Sequence, residues 1–224
     1  ERAGVGGPKQ YHPVAGRPVV AHTLAALAAV PRIDATLVVL SPQDDQFERH
    51  VPAFQGDRAW LTRTGGATRA DSVAAGLDEL VLRGAQPHDW VLVHDAARCL
   101  LQPDWVARLI AACEDDEVGG LLALPLADTL KEAGDQSAPA RVQSTVSRRG
   151  KWAAQTPQMF RLGLLRSALQ IALSDPAAAA GITDESSAVE QLGHAPLLVP
   201  GEWANFKVTW PGDFALAERL LRLA

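Results

Sequence analysis

The spacing of its short apolar runs constrains this chain more than any other feature. TLVVLS at 36–41, DWVLVHD at 89–95 and GGLLALPL at 119–126 are nearly free of polar interruptions and too short for helices. A strand with no polar face is covered on both sides, as in a parallel sheet between helices. Segments of helical period lie around these runs, at 19–30, 43–50, 68–83 and 103–115, the last with Pro103 suited to a first turn. A shorter strand is expected at 58–63. Strand and helix in alternation give an α/β fold, a mainly parallel, Rossmann-like sheet with right-handed crossovers and helices on both faces. In such sheets the loops at the carboxyl ends of the strands carry the ligand site.

The alternation breaks at 127–150, where two short Thr- and Val-containing pieces flank a tip rich in Gly, Ala, Ser and Pro. This reads as a β-hairpin arm without a core, and an arm of that kind packs on something else, often a second subunit. Helices at 161–174, 184–192 and 212–223 and a strand at 196–200 resume the pattern, and no linker divides the chain. A Gly-rich loop in a doubly wound sheet is normally fed by a strand. Here the glycines of ERAGVGGPKQYH begin within the first residues, so a longer natural N-terminus is expected.

Bulk composition narrows the function. The net charge of −5 offers no broad basic surface for nucleic acid, although a local basic pocket for a phosphorylated small molecule remains open. The two cysteines, Cys99 and Cys113, have neither disulfide-scaffold nor metal-ligand spacing, which suits a reducing cytoplasm. No apolar run reaches the ~18 residues of a membrane helix.

Four stretches can carry chemistry. In the opening stretch, glycines followed by Lys9, one of only four lysines in the chain, can cradle phosphates with Arg2 and Lys9 at either end. The other reading is a flexible surface loop with two solvated cations. In GGATRADSV, Gly65 and Gly66 precede a helix start where backbone groups and the Ser72 hydroxyl can read the edge of a base, and Arg69 can reach a phosphate. Equally, Thr68 simply caps the helix and Arg69 pairs with Asp71. In VLVHDAAR, Asp95 stands at the end of a buried strand with Arg98 three residues on. It can hold Mg²⁺ or accept substrate hydroxyls, or the two charges neutralise each other. In NFKVTWPGDFALAE, a solitary Lys207 in a strand-like piece calls for an anion, or snorkels to solvent, and Gly212 or Asp213 caps the next helix.

Read in order, PKQY, GG…R..SV..GL, VHDAAR, DTLK, TVSRRGKWAAQTPQMF, ITDESSAVE and NFKVT.P.D..LAE resemble one family from residue 2 to about 218. It is the 2-C-methyl-D-erythritol 4-phosphate cytidylyltransferases of the non-mevalonate isoprenoid pathway. The resemblance implies a single nucleotidyltransferase domain over 1–224 that transfers CMP from CTP to methylerythritol phosphate with Mg²⁺. It implies Arg2, Lys9 and Lys207 as catalytic cations. Gly65, Gly66, Arg69, Ser72, Asp95 and Ala96 would bind the nucleotide, and Asp95 would also lie near the metal. Asp95, Arg98, Thr156 and Thr183 would contact the substrate. Thr129 and Arg148, at the two ends of the arm, would reach across a homodimer to the partner's methylerythritol phosphate. Cys99, Ala67 and Ser147 depart from the family pattern without removing a charged position. A cytidylyltransferase for another polyol phosphate, such as ribitol 5-phosphate, is the near rival. A catalytically silent nucleotide-binding dimer is a more distant one. A dinucleotide-binding oxidoreductase fails for want of G-x-G-x-x-G.

Overall fold

The structure is a computed structural model that describes residues 7–134 and 139–223. A 3₁₀ turn at Lys9–Tyr11 leads into a two-residue ribbon, β1 (Pro13–Val14) and β2 (Arg17–Pro18), and then α1 (Val19–Ala28). Next come β3 (Thr36–Val39), α2 (Phe47–His50), β4 (Ala59–Thr62), α3 (Arg69–Leu82), β5 (Trp90–Val93), α4 (Pro103–Cys113) and β6 (Gly119–Pro125). The arm strands are β7 (Leu130–Ala133) and β8 (Val142–Val146), paired antiparallel. The chain closes with β9 (Trp152–Arg161), α5 (Leu162–Ser174), α6 (Pro176–Ala179), α7 (Glu185–Gln191), β10 (Leu197–Pro200) and α8 (Pro211–Leu221).

Helices do cover both faces, but the sheet is mixed rather than mainly parallel. The central sheet runs β10-β6-β9-β5, with β10 parallel to β6 and β9 antiparallel to both β6 and β5. β3 and β4 form a separate parallel pair, and β3 and β5 are each hydrogen-bonded on one side only among the described residues. The element that makes the sheet mixed is β9, whose residues WAAQTPQMFR carry a central proline and two glutamines. Proline lacks the N–H that a central ladder needs, so this stretch does not read as a core strand. Its place in the ladder explains why it is tolerated. The β6 pairing slips between Leu121, opposite Gln158, and Ala123, opposite Ala154, so Pro157 falls in the irregular stretch. All six residues from Gln155 to Phe160 are buried.

Two apolar layers follow from the strand period of two. Met159 faces one core, with Leu122 and Val199 of the sheet and Val106, Leu109, Ile110 and Cys113 of α4. Phe160, on the opposite face of β9, joins Leu77 of α3, Leu165 and Leu169 of α5 and Val189 of α7. A third cluster packs Phe214 and Ala217 of α8 against Val14, Cys99, Leu100 and Val208. That cluster draws the C-terminal segment across the carboxyl end of β5, with the Val208 N–H donating to Ala97 O at 2.9 Å.

None of the core clusters contains an arm residue, and most of the hairpin is exposed, Val142 included. The arm is therefore coreless within one chain. The polar expectation at 43–50 contracts to the four residues of α2. No helix among the described residues is long and apolar enough to cross a membrane.

Candidate active site

At the carboxyl end of β5 the chain turns sharply, and Asp95 becomes the hub of the site. Its Oδ1 accepts from Arg69 Nε at 2.9 Å and its Oδ2 pairs with Lys207 Nζ at 2.8 Å. Burial by itself works to raise the Asp95 carboxyl, but Arg69 and Lys207 more than offset it and hold it far below the usual carboxylate range. Asp95 does not pair with Arg98, nor Arg69 with Asp71, so neither self-neutralising alternative is realised. Arg98 instead donates through Nη1 to Asn205 O at 2.6 Å, and its buried Nε has no partner among the described residues.

A cavity of about 260 Å³ opens on this hub. Arg69, Asp95, Arg98, Thr156, Thr183 and Lys207 all line it, together with Gln155 and Gln158 of β9. Lys207 sits in an irregular extended segment rather than a strand. The following helix is capped at Trp210, with Pro211 at its first position and Asp213 closing the cap, not at Gly212 or Asp213. Lys9 comes to the same end of the sheet from the opposite terminus, donating to Val208 O at 3.1 Å. Burial, followed by the nearby Lys207 charge, lowers the Lys9 ammonium below its ordinary value. A lysine discharged more easily by these surroundings gains from a bound anion.

Beneath the hub lies a polar layer that the sequence did not advertise. The Asp95 N–H donates to Thr156 Oγ1 at 3.1 Å, and Thr156 Oγ1 lies 2.9 Å from His94 Nδ1. Burial pushes the His94 imidazole down to about 4, so it is neutral at pH 7, and either tautomer can share a proton with Thr156 Oγ1. Asn205 Nδ2 donates to Thr156 O at 2.9 Å and to Gln155 Oε1 at 3.2 Å, tying the Lys207 segment to β9.

The glycine pair lies beside the start of α3. Thr68 is the N-cap as expected, in a reciprocal box with Asp71. The Gly66 N–H donates to Ser72 Oγ at 3.1 Å, and Ser72 Oγ donates to Thr68 O at 2.9 Å. A Cβ on Gly65 would lie 2.7 Å from Leu40 O, and one on Gly66 would lie 2.3 Å from Asp71 Cβ, so both positions exclude a side chain. Ala96 holds the turn after Asp95 by accepting from Thr23 Oγ1 at 2.9 Å.

Some expected positions are not brought to the cavity. Arg2 lies outside the described residues. Thr129 and Arg148 are exposed at the base of the arm and do not line the cavity within one chain. Among the described residues no three His, Cys, Asp or Glu side chains gather as a metal cage.

A family model for 2-C-methyl-D-erythritol 4-phosphate cytidylyltransferase matches residues 1–223. The chain belongs to that family. It is 52% identical over 223 residues to the 2-C-methyl-D-erythritol 4-phosphate cytidylyltransferase of Laribacter hongkongensis, covering 99% of this chain and 91% of the relative. It is 56% identical over 220 residues to a bifunctional IspD/IspF enzyme of Albidiferax ferrireducens, covering 98% of this chain but 50% of that enzyme. A crystal structure of 4-diphosphocytidyl-2C-methyl-D-erythritol synthase superimposes with a TM-score of 0.85 at 41% identity, covering 96% of this chain and 95% of the other. The Francisella tularensis cytidylyltransferase gives 0.82 at 31%, covering 97% and 95%.

Within this family member, the residues that the sequence reading passed over are Glu185, Gln158 and Asn205. Each is almost wholly buried. The one available signal was an acid at 185 inside ITDESSAVE; its burial, which demands a partner, is visible only in the structure.

Proposed function

We infer that this chain transfers CMP from CTP to 2-C-methyl-D-erythritol 4-phosphate, the activity for which its family is named. A phosphate oxygen of the acceptor attacks the α-phosphorus of CTP. The bond to the β-phosphate breaks, its electron pair leaves with pyrophosphate, and 4-diphosphocytidyl-2-C-methyl-D-erythritol forms. Such transfers ask for positioning and charge stabilisation more than for covalent help. The observation that carries the reading is the convergence of Lys9 and Lys207, from opposite ends of the chain, on the Asp95 end of β5.

In this reading Lys9 and Lys207, with Arg2, bind the triphosphate and meet the charge that builds on the departing pyrophosphate. Arg69 and the Gly65–Gly66 and Ser72 turn hold the nucleotide, helped by Ala96. The backbone at Gly66 and the Ser72 hydroxyl read the cytosine edge. Asp95, Arg98, Thr156 and Thr183 receive the acceptor. Asp95 fits Mg²⁺, because that ion takes one or two carboxylates and fills its remaining positions with phosphate and water oxygens. Bound there, Mg²⁺ would offset phosphate charge.

Thr129 and Arg148 are exposed at the base of the arm and are not among the residues that line the cavity within one chain. A coreless exposed hairpin supports a homodimer in which the 127–150 arm carries these two residues to the partner's acceptor site. The same reading makes 1–224 one nucleotidyltransferase domain that works on soluble substrates in the cytoplasm. Pyrophosphate release from CTP tests it, with methylerythritol phosphate and ribitol 5-phosphate as competing acceptors. Turnover with methylerythritol phosphate is expected. Preference for ribitol 5-phosphate would move the chain to the neighbouring polyol class, and release with neither acceptor would leave a nucleotide-binding dimer.

A further inference from the structure

Four charges run in a line through the floor of the site, from Lys207 to Asp95 to Arg69 to Glu185. Glu185, the first residue of α7, is almost completely buried at 1% side-chain exposure. Its two oxygens accept from Arg69 Nη1 at 2.5 Å and Nη2 at 3.0 Å. Both oxygens act as acceptors in this fork, so Glu185 is ionised there although burial presses its carboxyl upward. The residues on either side are pinned to β9 by one side chain. Gln158 Nε2 donates to Asp184 Oδ2 at 2.9 Å, and Gln158 Oε1 accepts from the Ser186 N–H at 2.8 Å.

Burying a carboxylate is unfavourable, and well-packed apolar residues stabilise a fold at least as well as a buried ion pair. What the pair supplies here is direction. Arg69 has five N–H groups, and three are spent on Glu185 and Asp95. With both terminal nitrogens held by Glu185, Nε is aimed at Asp95 Oδ1. The other oxygen, Oδ2, meets Lys207, which is 40% exposed and stands on an irregular segment. One oxygen of Asp95 is thus clamped and the other is exchangeable.

We propose that Glu185 is a positioning residue: through the Arg69 fork it fixes the rotation of the Asp95 carboxylate, so that only Oδ2 is free to pass from Lys207 to the incoming substrate. When the phosphates engage Lys207, Oδ2 is released and Asp95 keeps its orientation. The inference rests on the transferase reading above, but the clamp itself is a property of the ligand-free protein.

The test is a double-mutant cycle on kcat/KM for pyrophosphate release, using Glu185→Gln, Arg69→Gln and the double variant, with melting temperature followed alongside. Glu185→Gln keeps the volume but sets an amide N–H against the guanidinium, so the fork opens. A loss on the order of 10- to 100-fold is expected for each single variant. The double variant should be no worse than Arg69→Gln, because Glu185 acts only through Arg69. Losses that multiply, or a Glu185→Gln enzyme within about twofold of the parent, overturn the proposal, since a residue that merely anchors α7 would act independently of Arg69. Nitrogen-15 NMR of ligand-free protein supplies a second readout. The Arg69 Nε proton should exchange slowly with water in the parent and quickly in Glu185→Gln. Equal exchange rates defeat the clamp even if the parent turns over. An inactive parent with the expected exchange difference defeats the transferase reading and leaves the clamp standing.

Discussion

The buried His94 imidazole predicts a specific loss of stability in mild acid. Burial holds it at about 4 against an ordinary 6.5, and its Nδ1 is committed to the Thr156 hydroxyl. Between those two values the unfolded chain binds a proton that the native chain does not, so native stability rises with pH. The contribution is complete above about pH 6.5 and is lost as the pH falls to about 4. At about 1.4 kcal/mol per pH unit the whole window is worth about 3 kcal/mol. The assay is urea unfolding at half-unit intervals from pH 7.5 to about 4, for the parent and for His94→Asn. An asparagine amide can either accept from or donate to Thr156 Oγ1, so the variant keeps a hydrogen bond there and loses the titration. All other titrating groups are common to both proteins. The difference between the two stability curves should therefore shrink by about 3 kcal/mol on going from neutral pH to pH 4. Parallel curves would refute the reasoning, because they would mean that His94 titrates alike in the folded and unfolded chain.

Gly66→Ala places a methyl group 2.3 Å from Asp71 Cβ, so the α3 cap and the Gly66–Ser72 hydrogen bond must shift. We expect a loss of about 1–3 kcal/mol in denaturant unfolding and a raised KM for CTP; an unchanged unfolding curve would count against the cap's role. Arg148→Ala should raise KM for methylerythritol phosphate far more than KM for CTP, by an amount equivalent to about 1.5–3 kcal/mol for one charged phosphate contact. Equal effects on the two substrates would remove Arg148 from the acceptor site.

Much of the architecture was legible in one dimension. The runs at 36–41, 89–95 and 119–126 announced strands because a face-to-face covered strand has nowhere to put polar groups. Thr68 with Asp71 three residues on announced a capped helix. The arm was legible by its lack of apolar residues, since a hairpin that cannot bury its own surface has to stand out from the domain. Gly-Gly before α3, the acid at the end of β5 and two of the four lysines, Lys9 and Lys207, marked residues of the candidate site.

Direction and partnership were not legible. β9 is a core strand in spite of Pro157 and two glutamines, because a slip in the β6 ladder spares the missing N–H and because Gln155 and Gln158 find partners on α7 and the Lys207 segment. No local propensity encodes such a match. It exists only once three distant segments are packed together, and it turns an expected parallel sheet into a mixed one. The same holds for the charges. Asp95 has Arg98 as its near neighbour in sequence, yet its partners are Arg69, 26 positions earlier, and Lys207 near the other terminus. Sequence period determined which segments would be strands and helices, because burial of apolar side chains is a local demand with a local signature. The tertiary structure alone decided which charge would face which, because ion pairing depends on distances of a few ångströms between groups that only the completed fold brings together.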